Sequence, residues 1–120
     1  MTEKPVLTKE QLKAEIAHWA AVMKVKPAQI RVQRMTKKWA SCSARGRVSF
    51  SADLLQEPRA FQDYVIVHEL LHLQVPNHGK LFKSLMNAYL PGGKAIRQKW
   101  NGNVWFIRNE QENSEEIKYE

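Results

Sequence analysis

The chain has 120 residues, of which 43% are hydrophobic and 26% are charged, as in an ordinary soluble globular domain. This length allows one domain with one modest core and excludes a separate substrate domain. No apolar run reaches the ~18 residues of a membrane span, and the polar N-terminus carries no secretory signal. The single cysteine excludes an internal disulfide. We therefore expect a cytoplasmic protein with no membrane partner.

Charge is distributed unevenly along the chain. Residues 109–120 contain five glutamates and one lysine, a net of −4, whereas the whole chain carries +7, so residues 1–108 carry +11. This contrast predicts a single domain over residues 1–108 and a mobile acidic tail over residues 109–120. The basic body favours anionic partners such as nucleotides or nucleic acid, although a solvated basic surface explains the same charge.

The N-terminal half predicts one helix followed by a small sheet. Thr8 and Gln11 form a capping box before apolar residues at helical spacing, which predicts a helix over about residues 9–23. The period then changes to the alternation typical of strands, with turn residues at Ala44-Arg45-Gly46. The strand signals are Ile30 and Val32, the segment 39–43, and the segment 46–51. We expect an antiparallel sheet of about three strands.

The C-terminal half predicts two longer helices. Apolar periodicity places the first over about residues 60–74 and the second over about residues 79–89, with a stop at Pro91-Gly92-Gly93. A short fourth helix over residues 95–100 and a strand over Val104–Ile107 precede the tail. Together these elements predict an α+β fold.

The most informative segment is His68-Glu69-Leu70-Leu71-His72, an H-E-x-x-H motif in the middle of a predicted helix. His68 and His72 lie one helical turn apart on one face, so their imidazoles can share one small metal ion. Glu69 lies beside them, near enough to reach a water in the open position of the metal. The pattern therefore predicts a catalytic metal site, usually of Zn²⁺.

The residues around the motif strengthen this interpretation. The other faces of the helix are covered by apolar side chains, and a helix that is apolar nearly all round is buried. The apolar residues are Ile66, Val67, Leu70, Leu71 and Leu73. Because buried polar groups without partners cost several kcal/mol, two buried histidines need a partner that metal ligation supplies. The alternative is an H-E-x-x-H motif that arose by chance on an ordinary helix.

His78 is the candidate for a third metal ligand. A straight helix would carry it too far from His72, but Val75-Pro76-Asn77 breaks the helix and can fold His78 back. Its spacing equals that of the metzincin pattern, although Val75 stands where that pattern has glycine, which argues against membership of that group. His18 is alone on an amphipathic helix, where a solvent-facing role is expected, and Cys42 is expected to pack inward from a strand.

Two blocks of the sequence resemble a known family. The run from Tyr64 to Phe82, which contains His68-Glu-Leu-Leu-His72 and Pro76-Asn77-His78-Gly79, resembles the signature of the YgjP-like metallopeptidases, which are related to the SprT and WLM proteins. Upstream, Lys38-Trp39-Ala40-Ser41-Cys42-Ser43 resembles the Arg-Trp-Gly-Ser-Cys segment of that family. Lys38 and Ala40 are mild departures from its pattern.

The resemblance implies a zincin-like α+β fold, Zn²⁺ held by His68, His72 and His78, Glu69 as general base, and a peptide or protein substrate. It also leaves the substrate open, since at least one member is described as a nucleotide pyrophosphatase acting on UTP. Compact relatives called minigluzincins are described as zymogens whose C-terminal segment blocks the cleft. The strand-like Val104–Ile107 and the acidic tail would serve such self-inhibition here. The alternative, which the sequence favours, is that this strand caps the core while the tail is solvated.

Two other functions remain open from the sequence. Phosphoanhydride hydrolysis would use the same site with basic residues around a triphosphate, and the candidates are Arg45, Arg47, Lys80 and Lys83. A basic nucleic-acid-associated module would instead use residues of the hairpin beside Trp39, namely Lys37, Lys38, Arg45 and Arg47.

Overall fold

The structure, a computed structural model, describes residues 8–35, 39–43, 45–75, 77 and 79–92. Its elements, in chain order, are α1 (Lys9–Met23), β1 (Gln29–Gln33), β2 (Ala40–Cys42), β3 (Arg47–Ser51), a 3-10 helix (Ala52–Gln56), α2 (Arg59–Leu71) and α3 (Lys80–Tyr89). The predicted α+β class is confirmed. The predicted helix over 95–100, the strand over Val104–Ile107 and the acidic tail lie outside the described residues.

Helix α1 has the predicted bounds because local signals fix both of its ends. Thr8 accepts a hydrogen bond from the Gln11 backbone at 3.0 Å, and the Gln11 side chain accepts one from the Thr8 backbone at 3.2 Å. At the other end Lys24 is left-handed, with φ 60°, and terminates the helix. The apolar stripe faces the core through Leu12, Ile16, Ala20 and Met23.

The sheet is mixed, so the expected antiparallel sheet is wrong in one of its two pairings. Strand order is β1-β3-β2, with β2 antiparallel to β3 and β1 parallel to β3. The turn between β2 and β3 imposes the antiparallel pairing. Strand β1 reaches β3 through a connection that contains β2, and a parallel pair requires a crossover of this kind. Alternation within a strand carries no information on direction, which is why the sequence did not reveal it.

The register of the sheet separates an apolar face from a polar one. The apolar face contributes Val32, Val48, Phe50, Ala40 and Cys42 to the core, all of them buried. The inward packing predicted for Cys42 is thereby confirmed. The polar face carries Arg31, Ser49 and Ser41 at paired positions across the three strands.

Helix α2 is buried on nearly every face, as its apolar sequence predicts. Ten of its 13 residues are buried: all residues from Phe61 to Leu71 except Asp63, which is half-buried. Gln62 is fully buried, and its Nε2 donates to the Leu54 carbonyl at 2.9 Å, which ties α2 to the 3-10 helix. The helix therefore lies at the centre of the core, between α1, the sheet and α3.

A polar cluster fixes the N-terminal half of α2 on α1. Arg59 of α2 contacts Glu15 of α1 at 2.7 Å and Asp63 at 3.1 Å, and the Trp19 indole donates to Asp63 at 3.2 Å. Burial raises the pKa of Asp63 above its ordinary value, although the hydrogen bonds from Trp19 and Arg59 oppose this rise. The cluster therefore gives geometric definition to the α1–α2 contact, while the ionised carboxylate itself carries a desolvation cost.

None of the helices in the described part of the chain has the length and apolar character needed to cross a bilayer. The cytoplasmic location and the boundary between the domain (residues 1–108) and the acidic tail (residues 109–120) stay predictions.

Candidate metal centre

The H-E-x-x-H motif lies at the C-terminal end of α2, and its expected place in the middle of a helix is wrong. The α-helix ends at Leu71, and His72 is its C-cap residue with helical φ −64° and ψ −15°. The helical backbone therefore still places His72 one turn beyond His68, as the spacing predicts.

The chain leaves α2 through tightened turns. The amides of His72, Leu73 and Gln74 donate to the carbonyls three residues earlier, at 3.1, 3.0 and 2.9 Å. Such 3-10 bonds satisfy carbonyls that the end of an α-helix leaves without an intrahelical partner. The α-helix predicted over residues 60–74 therefore ends at Leu71, three residues earlier than expected, because 3-10 bonds replace its last α-helical bonds.

The two imidazoles lie side by side in the protein interior. Their ring centroids are 5.1 Å apart and the planes are nearly perpendicular, at 84°. His68 is 4% exposed and His72 is 6% exposed, while Glu69 between them in sequence is fully buried. The Nδ1 of His68 lies 3.4 Å from Oε2 of Glu69. The structure thus brings together three of the four predicted site residues.

The separation of the rings fits two ligands of one metal ion. With Zn–N bonds of about 2.0–2.1 Å, an ion lies about 3.2 Å from each ring centroid, and a tetrahedral angle separates two such centroids by about 5.2 Å. The observed 5.1 Å matches this value, and it is also the separation of two rings in edge-to-face contact. Imidazole nitrogen also suits zinc and its transition-metal neighbours rather than magnesium or calcium. The described donors therefore fit a divalent transition metal.

Phe82 of α3 packs against both histidines. Its ring centroid lies 5.2 Å from that of His68 and 4.8 Å from that of His72, and the side chain is only 3% exposed. Tyr64, one turn before His68, lies 5.9 Å from the His68 ring. Aromatic rings thereby pack against both histidines and restrict their rotamers.

The sequence analysis gave Phe82 no role. The spacing of Phe82 and Met86 marks a buried stripe on α3, and both residues are buried. Periodicity identifies such a stripe but does not say which helix it faces. The contact with the histidines depends on how the chain turns between α2 and α3, which is a tertiary property.

The third predicted ligand, His78, lies outside the described residues. Within the described ranges, no three His, Cys, Asp or Glu side chains form a group that could hold a metal ion. Next to His78 in sequence, Asn77 accepts a hydrogen bond through Oδ1 from the Gly79 backbone at 3.2 Å. The ligand role of His78 stays a prediction.

The remaining sequence candidates lie on other elements. His18 is exposed on α1 beside Trp19, in keeping with the solvent-facing role expected of it. The basic residues weighed for a triphosphate are all exposed, with Arg45 and Arg47 at the β2–β3 hairpin and Lys80 and Lys83 on α3. Lys37 and Lys38 lie outside the described residues.

We predict that Phe82→Ala lowers the free energy of unfolding by about 3 kcal/mol, because it removes a buried ring from the contact between α3 and the two histidines. Urea denaturation measures this loss. Leu81→Ala is the matched control, since Leu81 is the preceding residue of the same helix and is 60% exposed. Equal losses in the two variants would contradict the packing described for Phe82.

Two comparisons with known proteins gave matches. A family profile described as "YgjP-like, metallopeptidase domain" matches residues 6–103 of the chain. No curated protein matches the sequence significantly. Among solved structures, the metallopeptidase zymogen abylysin of Pyrococcus abyssi is similar, with a TM-score of 0.64 and 19% identity over 73% of this chain and 90% of that one.

The two findings support different conclusions. At 19% identity the structural likeness shows the fold, which confirms the zincin-like α+β architecture. The family profile covers most of the chain, including the H-E-x-x-H motif and His78. The chain therefore belongs to the YgjP-like family of metallopeptidase domains.

Proposed function

We propose that the protein is a zinc-dependent peptidase that uses Glu69 as its general base. The observation that carries this proposal is the pair of buried imidazoles, 5.1 Å apart at the end of α2, with the buried Glu69 carboxylate beside them. Membership of the metallopeptidase family supports the reaction class.

In this proposal His68, His72 and His78 hold the ion, and the fourth position is open to water. Because Nδ1 of His68 lies against Glu69, ligation by His68 would use Nε2. When bound, zinc supplies an acidified water and a Lewis acid for the scissile carbonyl. The aromatic rings around the two described ligands keep the imidazoles in one orientation, which favours a preformed site.

Glu69 carries the proton transfers. Its carboxylate accepts a proton as the water oxygen forms a bond to the carbonyl carbon, and it returns that proton to the amine nitrogen as the C–N bond breaks. The candidates for a second donor to the oxyanion are Tyr64, Tyr89 and Asn77. Tyr64 is buried beside His68, whereas Asn77 is exposed and already binds the Gly79 amide through Oδ1. This arrangement favours Tyr64 among the three.

We predict about one zinc per chain in the purified wild-type protein and a large loss of bound zinc in His78→Ala. Elemental analysis of protein dialysed against metal-free buffer measures both values. His18→Ala is the matched control, because His18 is exposed on α1 and is not a proposed ligand. Wild-type protein that binds no zinc even when zinc is offered would overturn the enzyme proposal.

We predict that Glu69→Gln retains zinc but loses roughly 10²-fold or more of its turnover, because the amide cannot accept the proton from water. Hydrolysis of fluorescently labelled casein measures the peptidase activity, and UTP hydrolysis is followed in parallel. Full activity of Glu69→Gln on casein would disprove the general-base role. Glu69-dependent hydrolysis of UTP alone would favour the nucleotide pyrophosphatase alternative.

We also propose self-inhibition by the C-terminal segment. Residues 109–120 carry a net charge of −4, opposite in sign to that of the remaining chain. The four residues of Val104–Ile107 are all apolar, as in a buried strand. A tethered segment acts at an effective concentration on the order of mM, so weak binding is enough to compete with substrate. The similar abylysin structure is that of a zymogen, which supports this proposal.

We predict that truncation after Arg108 raises the rate of casein hydrolysis, because it removes acidic residues that are attracted to the basic remainder of the chain and would compete with substrate. A full-length variant with the five tail glutamates changed to glutamine separates charge from chain length. Unchanged activity in both variants would exclude inhibition by the acidic residues.

The proposed location is the cytoplasm, and the proposed substrate is a peptide or protein. Binding of nucleic acid through the basic surface is the alternative partner. Salt-dependent DNA binding that persists after chelation of the metal would favour it.

A further inference from the structure

We propose that Gln74 is a positioning residue of the metal centre, which holds the turn after His72 against the C-terminal end of α1. This inference rests on the proposed zinc site, and it concerns a residue to which neither the motif nor the family match gives a role.

The central observation is a hydrogen bond between distant parts of the chain. The Nε2 of Gln74 donates to the backbone carbonyl of Met23 at 3.2 Å, across 51 positions of sequence. Met23 is the last residue of α1, so its carbonyl has no partner within the helix. The neighbouring carbonyls of Ala20 and Ala21 accept from Val25 and Lys24, at 3.0 and 3.2 Å. Gln74 therefore caps one more carbonyl at the C-terminal end of α1.

The backbone of Gln74 is held as firmly as its side chain. The Leu71 carbonyl accepts from the amides of both Gln74 and Val75, at 2.9 and 2.8 Å, and Val75 is buried. The turn that begins at His72 is thus fastened to α2 by its backbone and to α1 by the Gln74 side chain. The bond from the Gln74 side chain to the Met23 carbonyl is thus a polar connection between the C-terminal end of α2 and α1.

This connection bears on the ligands because of its place in the chain. His72 is two residues before Gln74, and His78 is four residues after it, a reach of at most about 14 Å. Beyond the turn, the Asn77 side chain binds the Gly79 amide immediately before α3. A fixed Gln74 therefore limits the conformations available to both ligands before the metal binds.

The expected signature is a change in metal affinity that exceeds the change in stability. Removing groups that orient metal ligands typically weakens affinity 10–100-fold, whereas Gln74 itself is exposed and its truncation leaves no buried cavity. The unfolding temperature of the metal-free protein should therefore fall by only a few degrees.

The test compares zinc affinities of full-length, metal-free proteins by competition with a chromophoric chelator. We expect Gln74→Ala and Gln74→Glu to bind zinc about 10-fold more weakly than wild type, because neither side chain donates a hydrogen bond to the Met23 carbonyl. Gln74→Lys should remain within about threefold of wild type, since its ammonium group donates to this carbonyl and suits a helix C-terminus.

The charge series separates positioning from simple electrostatics. If position 74 affected zinc affinity only through the charge of its side chain, glutamate would strengthen zinc binding and lysine would weaken it. This order is the opposite of the one expected here. Gln29→Ala, at an exposed glutamine on β1, controls for loss of a glutamine side chain.

Affinities of Gln74→Ala and Gln74→Glu within twofold of wild type, with His78→Ala unable to hold zinc, would overturn the role of Gln74 and leave the proposed function intact. Wild-type protein that binds no zinc would overturn both proposals. Circular dichroism of each metal-free variant excludes loss of the fold as the cause.

Discussion

Burying α2 on nearly every face obliges the polar side chains of its last turn to find partners inside the protein. Leu70 and Leu71 bring that turn into the core, and His68, Glu69 and His72 are carried in with them. Because buried polar groups cost free energy unless they have partners, apolar packing alone does not explain the presence of these three residues. The same burial, with the ring contacts of Phe82, restricts the orientations of both imidazoles.

Helix α1 is the frame against which both ends of α2 are held. Near the start of α2, Arg59 and Asp63 bind Glu15 and Trp19 of α1. Just beyond its end, Gln74 binds the last carbonyl of α1. Apolar packing between two helices permits small sliding movements, whereas directional hydrogen bonds at both ends oppose them. The polar contacts of α1 therefore fix the axial position of the helix that carries the site.

Features that depend on residues close together in sequence could be predicted from the sequence, whereas features that depend on contacts between distant segments could not. The bounds of α1 were predictable because Thr8 and Gln11 encode its start locally. The neighbourhood of His68 and His72 was predictable because one helical turn determines it. The parallel pairing of β1 and the packing of Phe82 on the histidines were not predictable, since both depend on how distant segments meet. The early end of α2 has a local cause, the 3-10 bonds after Leu71, and a tertiary one, the contact of Gln74 with α1.

The strand order β1-β3-β2 has a consequence for the order of folding. Four residues separate β2 from β3, whereas 13 separate β1 from β3, so closing the second loop costs about 1 kcal/mol more chain entropy than closing the first. We therefore expect the β2–β3 hairpin to form first as a local unit, and β1 to join it later together with α1. Because α1 binds both ends of α2 through contacts 44 and 51 positions apart in sequence, we expect the turn after His72 to reach its final geometry only after these still less local contacts form.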